Sequence, residues 1–182
     1  MTQYQMIEIS NQQAYREGLH IELTPRIECA GAEIFTSVND LKATLTADEH
    51  NGSVVFEAHG RLLTASRQSP KTGDIAYRFT YTLNESDVEI AATAAGNAPA
   101  PIYLILPILA RSSEHVERPD PQTIRITKEN GTLTVQTDAP AAFDPIPQER
   151  TFNLVPGFEA IPLQLVLESG KEVRMHLEAV AT

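Results

Sequence analysis

The stretch "IAYRFTYTLNESDVEIAAT", Ile75 to Thr93, decides the fold class. Ile75, Tyr77, Phe79, Tyr81 and Leu83 fall on one face of an extended chain, while Ala76, Arg78, Thr80 and Thr82 fall on the other. This is the period-two alternation of a half-buried strand. The turn-forming cluster "NESD" follows, after which Val88, Ile90 and Ala92 alternate against Glu89, Ala91 and Thr93. Two such runs joined by a short polar turn predict an antiparallel hairpin.

The same grammar recurs along the chain. In "TIRITKENGTLTVQT", Ile124 and Ile126 alternate with polar partners, "KENG" supplies the turn, and Leu133 and Val135 carry the apolar face back. A third hairpin is expected at the end of the chain, with Ile161, Leu163, Leu165 and Leu167 before "ESGK" and Val173, Met175, Leu177 and Ala179 after it. Earlier, "YQMIEIS", "LHIEL", "AEIFTSV" and "LKATLTA" are candidate strands, and "SVVFEAHGRLLTAS" reads as two strands meeting near His59 and Gly60. Sustained 3.6-residue periodicity is lacking, the nearest case being one or two turns over "NQQAYREGLH". The expected fold is all-β: a large antiparallel β-sandwich of roughly a dozen strands with little helix.

The most apolar run, "NAPAPIYLILPILA", Asn97 to Ala110, contains three prolines, and the ten residues from Pro101 to Ala110 are about half the length a membrane helix needs. It reads as a central strand, with Ile102, Leu104 and Leu106 on one face and Tyr103, Ile105 and, allowing for Pro107, Ile108 on the other, covered on both sides. Ten of the twelve prolines lie between Pro99 and Pro162, which places edges and irregular crossings in that half.

Length and composition set outer limits. A chain of 182 residues suits one domain spanning 1–182, whole or cut from a longer protein, and 42% apolar residues suffice for a real core. The net charge of -10 repels nucleic-acid phosphates and anionic membranes, so neither is an expected partner. The single cysteine, Cys29, forms no intrachain disulfide and reads as a small core residue. The N-terminus lacks a basic n-region and an apolar h-region, so a cytoplasmic location is expected if the chain is complete, and none is assigned if it comes from a secreted enzyme.

No nucleophile elbow, P-loop or dinucleotide motif is present, and His20, His50, His59, His115 and His176 form no metal-ligand spacing. No metal or cofactor is expected. His59 and His50 read as turn residues, and His176 as a residue on the polar face of the last strand. The richest polar segment is "RSSEHVERPDPQ", Arg111 to Gln122, read as a loop after the apolar strand. It offers Glu114 and His115 as candidate acid and base, with Arg111 and Arg118 as candidate clamps for a carboxylate. A second loop, "PAAFDPIPQER", offers Phe143 as a ring for stacking on a sugar, or as a plug against the sandwich, together with Asp144, Glu149 and Arg150.

The segment "YRFTYTLNESDVEIAATAAGNAPAPIYLILPIL", Tyr77 to Leu109, resembles the strand pair and following central strand of supersandwich-type domains in carbohydrate-active enzymes. The families concerned are the galactose-mutarotase-like domains and the C-terminal sandwiches of heparinase II/III-type polysaccharide lyases. The resemblance implies a carbohydrate context. In mutarotase-like enzymes the asparagine and proline before the central strand are followed by a His-Pro-aromatic motif. Asn97 and Pro99 match, but Leu106, Pro107, Ile108 and Leu109 follow without a histidine, which points away from epimerisation and toward an accessory role.

Three readings follow. The first is a non-catalytic sandwich module of a carbohydrate-active enzyme that packs on a catalytic domain or partner subunit. The second is an enzyme acting on carbohydrate (a lyase, hydrolase or epimerase) with its site in the 111–122 loop. The third is a free-standing interaction protein, possible as a homodimer.

Overall fold

A computed structural model describes residues 25–111, 113–143, 152–155 and 158–181. The candidate elements "YQMIEIS", "LHIEL" and "NQQAYREGLH", and the side chains of Asp144, Glu149 and Arg150, lie outside the described residues. The strands in chain order are β1 (Arg26–Ala30), β2 (Ile34–Thr36), β3 (Thr44–His50), β4 (Ser53–Arg61), β5 (Ile75–Leu83), β6 (Asp87–Gly96) and β7 (Ile102–Arg111). They continue with β8 (His115–Asp120), β9 (Thr123–Lys128), β10 (Gly131–Thr137), β11 (Ala142–Phe143), β12 (Phe152–Val155), β13 (Phe158–Leu167) and β14 (Glu172–Ala181). Among the described residues the helical content is a single 3₁₀ turn, Ser37–Asn39, capped by the Thr36 hydroxyl, which accepts from the Val38 N–H.

All pairings are antiparallel, and they build two sheets. The narrower runs β2-β1-β7-β13-β11, with β12 also on β13, and the wider runs β3-β4-β5-β6-β14-β10-β9-β8. The sheets pack face to face as a sandwich. Ile27, Leu104, Leu163 and Leu165 of the narrow sheet meet Ile75, Ile126, Val135 and Met175 of the wide one in a single fully buried cluster. Each such side chain contributes roughly 1.5–3 kcal/mol by leaving water.

The β5–β6 hairpin forms as its alternation predicts, paired from Ile75↔Gly96 to Leu83↔Val88. Phe79 stacks on Tyr81 at 5.7 Å between centroids and meets Tyr77 edge-on at 6.2 Å, a file of rings on the core-facing side. The β9–β10 hairpin also forms, with Gly131 opposite Lys128. Cys29 is fully buried, as expected of a core residue, and its thiol donates to the Ala100 carbonyl at 3.4 Å.

The expected third hairpin does not form. β13 pairs with β7 in the narrow sheet, whereas β14 pairs with β6 and β10 in the wide one. "ESGK" is therefore an arch from one sheet to the other, held by the Gly170 N–H on the Ala94 carbonyl at 2.8 Å. The reason is burial: Leu163, Leu165 and Leu167 face Val173 and Met175 across the core, an arrangement that buries both sets more completely than side-by-side pairing on one sheet.

Three further expectations are corrected. β7 keeps its pleat through Pro107, so Ile108 lies on the inner face with Ile102, Leu104, Leu106 and Ala110, all buried, while Leu109 points the other way and is 37% exposed. Pro107 sits opposite Pro162 of β13, where two residues lacking N–H groups face each other and the register is unchanged. The outer face is thus covered at Ile105 but open at Leu109. "SVVFEAHGR" is one continuous strand, with His59 and Gly60 inside it rather than at a turn; His59 is exposed and pairs with Glu57. The segment read as a loop from 111 to 122 is mostly strand β8, paired with β9.

Candidate functional site

The polar segment after β7 is short as a turn and long as a strand. Arg111 to Glu114 carries the chain from the narrow sheet to the wide one, closed by the Glu114 N–H on the Arg111 carbonyl at 3.0 Å. β8 then forms the edge of the wide sheet, with His115↔Thr127, Val116↔Ile126 and Glu117↔Arg125 in register and an irregularity before Asp120↔Thr123. Val116 packs against the core, which is why an otherwise polar segment takes extended form. Pro119 and Pro121 are tolerated because an edge strand has one side without ladder donors.

This crossing leaves an open cleft of about 660 Å³ at the end of the sandwich, lined by Leu109, Arg111, Glu114, Lys128, Leu133 and Ala179 among others. Glu114 is its most enclosed ionisable group, with a side chain only 11% exposed. Its Oε2 accepts from Lys128 Nζ at 2.9 Å and from the Arg111 backbone N–H at 2.9 Å. Burial pushes the Glu114 carboxyl up, but the Lys128 and Arg111 hydrogen bonds and the charges of both residues outweigh it and hold the group below the usual carboxylate range. The Arg111 guanidinium reaches Glu129 at 3.4 Å. The cleft wall is therefore a set of neutralised pairs on a largely apolar surround.

The five sequence-nominated residues are not brought together. Arg111 and Glu114 share the cleft. His115 turns away: its side chain is 71% exposed on the outer face of the wide sheet, 3.1 Å from Glu117, which Arg125 also approaches at 3.8 Å. Arg118 lies four residues beyond Glu114, roughly 13 Å of extended chain, and donates to the Ala141 carbonyl at 3.3 Å. Phe143 ends β11, with its backbone opposite Leu163 in the narrow sheet. Lys128 and Glu129, which complete the cleft wall, sit in the "KENG" turn; in the sequence that turn carries only a hairpin signal, and nothing in it marks a meeting with residue 114. Among the described residues no three His, Cys, Asp or Glu side chains are placed to hold a metal ion, and no helix is long and apolar enough to cross a membrane.

Residues 1–180 match the family of the Ulvan lyase C-terminal domain. The chain belongs to that family. The broad-specificity ulvan lyase of Formosa agariphila is 31% identical over 170 residues, covering 93% of this chain and 26% of the relative. The chain thus spans about a quarter of the length of the curated relative it matches. Among solved structures, the heparan sulfate lyase HepC of Pedobacter heparinus aligns with a TM-score of 0.55 at 10% identity, over 78% of this chain and 22% of that one. The heparinase III BT4657 gene product aligns with a TM-score of 0.50 at 10% identity, over 77% and 21%. These two likenesses place the fold among lyase sandwiches, in agreement with the heparinase-type C-terminal resemblance of the Tyr77 to Leu109 segment.

Proposed function

We propose that this chain is a non-catalytic β-sandwich module of a polysaccharide lyase and packs on a catalytic domain. The observation that carries the reading is the state of the nominated acid and base. A general acid or base must be able to exchange its proton near the working pH and must share a site with its partner group. Glu114 is held ionised by Lys128 and the Arg111 N–H, and His115 lies on another face beside Glu117. The breadth of the family match, set against a quarter of the relative's length, supports an accessory domain over a self-sufficient enzyme.

The test is direct. The 182-residue chain, incubated alone with ulvan, yields no unsaturated ends, and Glu114→Gln/His115→Ala in the complete lyase polypeptide leaves kcat within twofold. Turnover by the isolated chain that disappears in the double variant would sink the proposal. It would support the second reading, a carbohydrate-acting enzyme at the cleft, which the juxtaposition of Glu114, Lys128 and Arg111 favours.

A further inference from the structure

The outer face of the narrow sheet is drier than a two-layer sandwich makes it. The register sets Arg26, Ile105 and Gln164 side by side on this face, with Glu28, Tyr103 and Val166 in the next row, while Ile27, Leu104 and Leu165 between them point into the core. Arg26 is 5% exposed and Ile105 4%, and Pro162, in the row on the other side, is also buried. The Arg26 guanidinium donates to Glu28 at 2.9 Å, and the Glu28 side chain is only 13% exposed. Neighbours on a pleated face shield a side chain at its flanks alone, so burial this complete needs a layer above it. A guanidinium and a carboxylate withdrawn from water together mark an enclosed site in the same way.

Among the described residues every strand belongs to one of the two sheets, and the 3₁₀ turn is held on the β2 side of β1, a strand away from Ile105. The chain that precedes β1 has the composition and the reach to supply the layer. In residues 1–24, Leu19, Ile21 and Leu23 alternate with His20 and Glu22, an apolar stripe directly before the first strand of the sandwich. Leu23 stands three residues before Arg26, at most about 10 Å of extended chain, and Ile105 is the register partner of Arg26. The inner faces of both sheets are filled by each other, which leaves the outer face of the narrow sheet as the apolar surface within that reach. Residues 144–151, also outside the described residues, read "DPIPQERT", with two prolines, three charges and a single aliphatic side chain, a poor match for the same surface.

We infer that residues 1–24 dock on the outer face of the narrow sheet and close it over Arg26, Ile105 and Pro162, with the stripe from Leu19 to Leu23 against Ile105. The inference rests on the module reading in one respect. The family is that of a C-terminal domain, so the polypeptide leading from the catalytic portion enters through this segment, and the docked face is also the joint between the two.

Thiol labelling of the full 182-residue chain reads the cover. With Ile105→Cys, a maleimide modifies position 105 as slowly as the buried Cys29, whereas Val166→Cys, exposed on the same face, reacts at once. Adding Ile21→Asp/Leu23→Asp speeds labelling at position 105 at least tenfold and leaves Cys29 protected, which shows the sandwich intact. Fast labelling at 105 without the aspartates, or no acceleration with them, overturns the inference. Should the aspartates expose Cys29 as well, a photoreactive benzoylphenylalanine in place of the half-buried Tyr103 decides in the otherwise unchanged chain. Irradiation is expected to join it to residues 1–24, and a cross-link to 144–151, to a second copy or to neither overturns the inference. In the complete lyase polypeptide the aspartate pair splits one unfolding transition into two; a single transition that persists, or two already present without the pair, overturns the joint. None of these outcomes touches the module reading, which turnover by the isolated chain tests separately.

Discussion

Adjacent residues on β7 offer a sharp test of how the sandwich is built, because Ile108 and Leu109 straddle the pleat just past Pro107. Ile108→Ala and Leu109→Ala each remove three carbons, worth about 2.4 kcal/mol if fully buried, at about 0.8 kcal/mol per carbon. Ile108 is 4% exposed on the inner face, so its truncation also leaves a cavity between the sheets, and the expected cost is about 3 kcal/mol. Leu109 is 37% exposed and borders the open cleft, where water fills the space left behind; the expected cost is about 1 kcal/mol. For a domain of this size the difference corresponds to a Tm loss of about 6–12 °C against about 2–4 °C. Urea unfolding followed by far-ultraviolet circular dichroism gives the same ordering in midpoint, with the slope unchanged. If Leu109→Ala costs as much as Ile108→Ala or more, the pleat slips at Pro107 and the inner face of β7 is wrongly assigned beyond it.

Other outcomes follow from single features. Gly96 has φ +149°, and a Cβ there would stand 2.5 Å from the Asp74 carbonyl oxygen, so Gly96→Ala costs about 2–3 kcal/mol in urea unfolding; Gly170→Ala, at φ +76° in open space, costs only about 1 kcal/mol. Lys128→Met removes the cation that holds Glu114 ionised and costs about 1 kcal/mol at pH 7. Because the Glu114 pKa is depressed in the fold, that contribution is present above the unfolded value of about 4.3 and is lost as pH falls through the folded pKa, so the urea midpoints of the two proteins converge as the solution is acidified below the ordinary carboxylate range. Burial raises the Tyr81 hydroxyl to about 12; an ultraviolet titration therefore shows a late phenolate component that Tyr81→Phe removes. The associated stability is present below the ordinary tyrosine value of about 10 and declines toward pH 12.

Local pattern and partner choice are separate pieces of information, and the chain illustrates both. Alternation places Phe79, Ile90, Val135 and Met175 on the core faces of their strands, and the hairpins β5–β6 and β9–β10 follow because only a few residues separate their arms. The arms around "ESGK" alternate in the same way, yet they part into two sheets. Alternation records which side of a strand is dry without naming the strand beside it, and the four-residue connection accommodates an arch as readily as a hairpin. His59 beside a glycine carries a turn signal in the sequence; Tyr77 against the glycine backbone and β5 alongside keep β4 straight through it.

The candidate site shows the same division more sharply. The sequence marks Arg111 and Glu114 as polar residues following an apolar strand, and both reach the cleft. It does not contain the meeting of Glu114 with Lys128, fourteen positions away, nor the separation of Glu114 from its neighbour His115, because Glu114 closes the turn after β7 while His115 opens the edge strand β8. By itself the sequence determined strand content, core composition, acidity and the lyase-like rhythm of Tyr77 to Leu109, all properties of local periodicity and counting. Only the tertiary structure decided which strands share a sheet, which carboxylates are neutralised, and which residues line the cleft at the end of the sandwich, since each of these depends on contacts between segments far apart in the chain.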